Sequence, residues 1–192
     1  MIPAVLGLAS GTILLLSRGE NDAAPAPHEA MPARDCAPLG LTHGQWMDFL
    51  RAAMCGKPTT ITPSFRLGVF GMTVRRLCDL GAMADPTVAH YNGRQIWDAR
   101  WVDPANLRAF QSAPMLQYRL FSDSIVDYAH APEVVNAIGK TVEGKKVTRS
   151  GALMLAHRAG LVGMGSWLRK RSNREKFADN TTAFFDRANG IF

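Results

Sequence analysis

The sequence predicts a mainly α domain over residues 39–192 with one small loop or hairpin region. An apolar N-terminal helix (1–16) and a Pro/Ala-rich linker (17–38) precede it. Three observations predict this. From Leu39 onward, apolar residues recur at spacings of three and four, the period of a helix face. Threonines and prolines stand where helices begin, and glycines where they stop. The composition, 47% hydrophobic and 20% charged over 192 residues, is that of a globular chain with room for one real core and an appendage.

Residues 2–16, IPAVLGLASGTILLL, carry no charge. As a helix they reach roughly 23 Å, short of the ~30 Å hydrocarbon core of a bilayer. They also lack the basic lead and the cleavage site of an export signal. Gly7 and Gly11 form a GxxxG, which lets helices approach closely and makes them the candidate partner-binding residues. A helix packed on protein is the favoured reading; a membrane anchor and a signal peptide stay open beside it. Residues 17–38 are an extended linker of prolines, alanines and scattered charge.

In the domain, Thr42 caps a first helix whose apolar positions are Trp46, Phe49, Leu50, Ala53 and Met54; Gly56 and Pro58 stop it. Residues 57–72 read as a loop or small hairpin. A helix over 73–82 follows, with Val74, Leu77 and Cys78 inward and Gly81 at its end. An irregular stretch holds Trp97 and Trp101. Pro104 opens a short helix over 104–111, and a longer one spans 114–129 with Leu116, Leu120, Ile125 and Tyr128 on its apolar side. Pro132 opens another, ended by Gly139. Thr148 caps a helix on which Leu153, His157, Gly160, Met164 and Trp167 share a stripe. Each of the glycines at 160, 163 and 165 costs ~1 kcal/mol relative to alanine in a helix, so they predict a tight bend between two helices. A last helix lies near 179–188. The sequence shows no internal repeat.

Net charge is +6. Residues 1–35 hold Arg18 and Arg34 against Glu20, Asp22, Glu29 and Asp35, so the rest of the chain is a basic domain suited to an anionic partner. A helix-turn-helix across 160–165 is disfavoured, because Met164, Trp167 and Leu168 would stand where groove-reading polar groups belong. Nucleic acid is therefore not the expected partner. Cys36, Cys55 and Cys78 form no CxxC and no zinc-type spacing with histidine, so neither a metal nor another cofactor is expected. A single disulfide stays open, with buried reduced thiols favoured. His157, alone on an apolar stripe with no partner nearby in sequence, reads as a hydrogen-bonded core residue rather than a catalyst.

Several short motifs, in order, resemble the lysozyme-like proteins of phage tails, prophages and secreted cell-wall hydrolases. They are RLGVFGM (66–72), LCDLG (77–81), LQYRLFSDSIVDY (116–128), GKTVEGKKV (139–147) and TRSG (148–151). Ala156-His157, the glycine-rich bend 160–165, DNTT (179–182) and the terminal Phe192 complete the set. The resemblance covers roughly 40–192 and implies a lysozyme-like helical fold. It also implies a glutamate at the end of the first helix, which protonates the glycosidic oxygen. Here that helix ends in Cys55-Gly56-Lys57, its only acidic residue is Asp48, and no glutamate lies between Glu29 and Glu133. Val69 and Gly71 stand where the family has a basic residue and a glutamine.

The resemblance thus implies a retired active site in a structural or peptidoglycan-binding component of a phage tail or similar particle, located in a virion or cell envelope. Its partners would be other virion or envelope proteins, met through the N-terminal segment, and peptidoglycan. Lys57, Arg66 and Phe70 are the candidate glycan- or anion-binding residues. One alternative is an active hydrolase of the muramidase or lytic transglycosylase type with a displaced acid, for which Asp79, Asp98 and Asp103 are the candidates. A membrane-tethered envelope protein is the other.

Overall fold

The computed structural model describes residues 39–62, 64, 66–84, 101–102, 104–142, 144–169 and 181–192. The expectations for the N-terminal segment with Gly7 and Gly11, for the linker, and for Cys36, Trp97, Asp98 and Asp103 lie outside these residues.

The described residues form a mainly α structure. Helix α1 (His43–Ala53) starts with a reciprocal cap: Thr42 Oγ1 accepts from the Gln45 amide at 3.2 Å, and Gln45 Oε1 accepts from the Thr42 amide at 3.0 Å. Its inner face buries Trp46, Met47, Phe49, Leu50, Ala52 and Ala53. The loop or hairpin expected next is an antiparallel pair, β1 (Arg66–Leu67) and β2 (Met72–Thr73), with Arg66 opposite Thr73 and Leu67 opposite Met72. Helix α2 (Val74–Asp79) follows directly, capped by Thr73. Val74 and Leu77 point inward as expected, whereas Cys78 is only half-buried.

Helix α3 (Leu107–Gln111) begins three residues later than Pro104 suggests. Asn106 Oδ1 accepts from the Ala109 amide at 2.9 Å, and this side-chain cap sets the start. Helix α4 (Pro114–Ala129) has the expected bounds, with proline in the first turn, where its missing N–H costs nothing. Helix α5 (Pro132–Ala137) leads into a second antiparallel pair, β3 (Thr141–Val142) and β4 (Lys145–Lys146). Two-residue strands leave no periodicity to read, so this hairpin was not visible in the sequence.

Helix α6 (Arg149–Arg169) is broken at Gly160, whose φ of 70° and ψ of 166° are far from helical. That is the bend the glycines predicted. Helix α7 (Thr181–Ala188) returns the chain to α1 and α6.

The TRSG stretch clasps the C-terminal end. Thr148 Oγ1 accepts from the amides of Gly151, at 3.3 Å, and Gly190, at 2.9 Å. The Thr148 amide donates to Asn189 Oδ1 at 2.8 Å, and Ser150 Oγ donates to the Phe192 carbonyl at 3.1 Å. A side chain on Gly151 would collide with Asn189 and Phe185, so only glycine lets α6 approach this end.

The centre of the core is aromatic. Phe70 stacks on Phe121 at 4.1 Å, Trp46 and Phe49 stack around the same ring, and the His157 imidazole meets Phe121 edge-on at 4.8 Å.

Candidate functional site

The end of α1, the segment before β1, α6 and α7 converge on a hollow of about 540 Å³ lined by Met54, Cys55, Thr62, Arg158, Ala183, Phe184 and Arg187. Each wall has a local cause. Where α1 stops, Cys55 is held by two contacts to one carbonyl: its amide donates to Val69 O at 2.8 Å and its thiol to the same oxygen at 3.4 Å. Val69 is fixed in turn by Gln117, whose Oε1 accepts from the Val69 amide at 2.9 Å. Gln117 Nε2 donates to the carbonyls of Phe110, at 2.8 Å, and Pro58, at 3.1 Å. One wholly buried amide on α4 therefore ties three segments of backbone together behind the hollow.

The turn between β1 and β2 passes close to both Cys55 and Arg158. Gly71 has a φ of 61°, and a Cβ there would stand 2.8 Å from Cys55 Sγ and 3.0 Å from Arg158 Nη1. This position requires glycine both for its backbone and for the approach of the thiol and the guanidinium. Arg66 lies behind them, its Nη2 donating to the Arg158 carbonyl and its Nη1 to the Gly71 carbonyl at 3.4 Å.

Phe184 holds the cationic side. The Arg158 guanidinium lies 4.1 Å and the Arg187 guanidinium 4.0 Å from its ring centre. A guanidinium packed on an aromatic face gains cation–π attraction and is held in one plane. Because these groups keep their protons at every physiological pH, they can hold an anion but cannot act as a general acid. Among the described residues that line the hollow there is no carboxylate.

His157 stands beside Arg158 but faces the core. Its Nε2 is 2.7 Å from the Phe70 carbonyl. A carbonyl only accepts, so that nitrogen carries a proton. Burial pushes its pKa down to about 3; the Phe70 bond opposes the shift, and the charges of Arg158, Arg66 and Arg76 reinforce it. This is the core histidine that the apolar stripe predicted.

A second groove, about 420 Å³, runs past Thr73, Arg75, Arg76, Asp79, Tyr128 and the α6 break at residues 159–162. Its charges are matched. Arg75 meets Asp79 at 3.2 Å, and Arg76 meets Asp127 at 2.7 Å while donating to Ser124 Oγ at 2.7 Å. Burial raises the Tyr128 pKa, with Arg76 opposing the shift.

Of the sequence-derived candidates, Arg66 is bonded to the Arg158 and Gly71 carbonyls beside the first hollow but is not part of its lining. The fold leaves Lys57 exposed outside the lining and puts Asp79 in the other groove. Phe70 is corrected: its ring is wholly inside the core, between Phe121 and Tyr118, and has no face to offer a sugar. The resemblance had offered it as a candidate glycan- or anion-binding residue, but the turn with positive-φ glycines at 68 and 71 carries the ring inward. Arg158, Phe184 and Arg187 were missed. The one local signal was the three-residue spacing of Phe184 and Arg187, which puts them on the same side of α7.

Among the described residues, no three His, Cys, Asp or Glu side chains come together in a way that could hold a metal ion. No described helix is long and apolar enough to cross a membrane. Set against protein-family models, curated proteins and solved structures, the chain matches none of them.

Proposed function

We propose that the chain is a non-catalytic, lysozyme-like component of a phage tail or similar particle, or of a cell envelope, with a structural or peptidoglycan-binding role. One observation carries the reading. At the end of α1, where the resemblance expects a proton-donating glutamate, the residue facing the hollow is Cys55, and guanidiniums gather beside it. Glycoside cleavage needs a carboxylic acid to protonate the leaving oxygen. A thiol bonded to a backbone carbonyl and flanked by permanent cations offers no such group. The displaced-acid alternative draws no support from Asp79, which is engaged with Arg75 on the surface of a separate groove.

The test is exposure of the full chain to isolated sacculi. Co-sedimentation without release of soluble muropeptides is the expected result. A cleared zymogram band that disappears on Asp→Asn change at position 79, 98 or 103 would overturn the reading in favour of a working hydrolase.

A further inference from the structure

We propose that Asn189–Gly190 is a spontaneous modification site, a one-way covalent latch that closes the end of α7 onto α6 until the asparagine deamidates. The chain contains two Asn-Gly pairs, at 92–93 and 189–190, of which the first lies outside the described residues. An asparagine followed by glycine is especially open to this chemistry, because glycine has no side chain to shield its amide nitrogen. That nitrogen attacks Cγ of Asn189: an N–Cγ bond forms, the Cγ–Nδ2 bond breaks, and the displaced proton leaves with the amine as ammonia. Water then opens the cyclic imide at either carbonyl and leaves aspartate or isoaspartate. Water is the only co-reactant, and nothing is oxidised or reduced.

In the closed structure both reacting groups are tied down. Asn189 Oδ1 accepts from the Thr148 amide at 2.8 Å and from Thr148 Oγ1 at 3.1 Å, while Nδ2 donates to the Lys146 carbonyl at 3.0 Å. The attacking nitrogen has its own restraint, since the Gly190 amide donates to Thr148 Oγ1 at 2.9 Å. Cγ therefore cannot turn toward the nitrogen without breaking these bonds. Asn189 is nevertheless only half-buried and Gly190 is exposed, so water meets the pair whenever the clasp opens. The rate of conversion follows the population of that local opening.

The product cannot remake the same contacts. An ionised aspartate only accepts, so one of its oxygens would face the Lys146 carbonyl where Nδ2 donated. Isoaspartate also inserts a methylene into the main chain and shifts the register of Ile191 and Phe192. That register matters: the Phe192 carbonyl accepts from the Ser150 amide at 3.2 Å and from Ser150 Oγ at 3.1 Å, and the Phe192 ring lies 5.4 Å from Phe49. Conversion thus frees residues 191 and 192 from α6 and α1, and no step of the chemistry restores them.

The experiment is incubation of the full chain at neutral pH, folded and in guanidinium, with deamidation read in the tryptic peptide that follows Arg187. Mapping by peptide keeps this signal apart from that of Asn92–Gly93. Conversion at 189 is expected to be slower by about tenfold or more in the folded chain than in the unfolded one. Thr148→Ala, which removes the hydroxyl partner of Gly190, should speed the folded reaction and leave the unfolded rate unchanged; Thr148→Ser should keep the protection. Asn189→Asp should cost the Ser150 amide about tenfold or more of its hydrogen-exchange protection, while the amides of α4 keep theirs. Equal conversion in the folded and unfolded chain overturns the proposal, as does no conversion at 189 when unfolded. Unchanged protection at Ser150 in Asn189→Asp overturns it too, and if Thr148→Ala fails to fold, the parent comparison and Asn189→Asp still decide.

Discussion

The hollow at the end of α1 and the groove beside the Gly160 break are both lined by arginines, but the described contacts of those arginines differ. In the groove, Asp79 and Asp127 neutralise Arg75 and Arg76, and Ser124 takes a further bond. The Arg76 contacts tie α2 to α4, while Arg75–Asp79 is a pair within α2. In the hollow, the guanidiniums of Arg158 and Arg187 pack against the Phe184 ring, near the Cys55 thiol and the Thr62 hydroxyl. The same residue type is therefore held by carboxylates in one place and packed on an aromatic ring in the other. The neighbours, rather than the arginines, make the difference.

The largest expected effect comes from taking away the wall of the hollow. Gln117→Ala leaves the Val69 amide and the Phe110 and Pro58 carbonyls without their partner. At about 1–3 kcal/mol for each stranded buried group, partly relieved by water, a loss of about 3–5 kcal/mol is expected in urea denaturation. A loss under about 1 kcal/mol would mean that the wall stands without Gln117.

A smaller effect comes from His157, which is tied to the same wall through Phe70. Its folded pKa of about 3 lies below the ordinary value of 6.5. Between those values the unfolded chain binds a proton that the folded chain refuses, so stability falls as pH falls below 6.5 and levels off near 3. From pH 7 to pH 5 the expected loss is about 2 kcal/mol, from one proton at 1.36 kcal/mol per pH unit. Thermal melts of the parent and of His157→Gln check this: the variant should lack that part of the slope, and an identical slope would remove His157 as its cause.

The smallest effect belongs to the groove. Arg75 and Asp79 form an exposed pair four residues apart, so Asp79→Asn should move stability by no more than about 0.5 kcal/mol. It should leave the pH slope assigned to His157 unchanged in the same thermal melts. A large change in either would mean that the two regions are coupled, and the contrast between them would fail.

Much of the helical frame was legible in the sequence. The bounds of α4, the Thr42 cap, the proline starts at 114 and 132 and the break in α6 all depend on residues within about one helical turn, so spacing and residue type reveal them. Pro104 misled because Asn106, two residues on, makes the stronger cap. The candidate site was far less visible. Arg66 was found through a motif, whereas Phe70, from the same motif, turned out to belong to the core. No local pattern shows whether a turn folds its aromatic residue inward, since that depends on whether Phe121 and Tyr118 wait on the other side.

The sequence alone determined where helices start, stop and bend, and that the domain is basic, because caps, periods and charges act over a few neighbouring residues. The tertiary structure alone decided that Cys55, Thr62, Arg158, Phe184 and Arg187 meet around one hollow while Asp79 stands elsewhere. Those residues come from segments up to 132 positions apart, from Cys55 to Arg187, joined only by the packing of α1, α6 and α7. Burial and charge compensation are properties of that meeting, and no stretch of the chain carries them by itself.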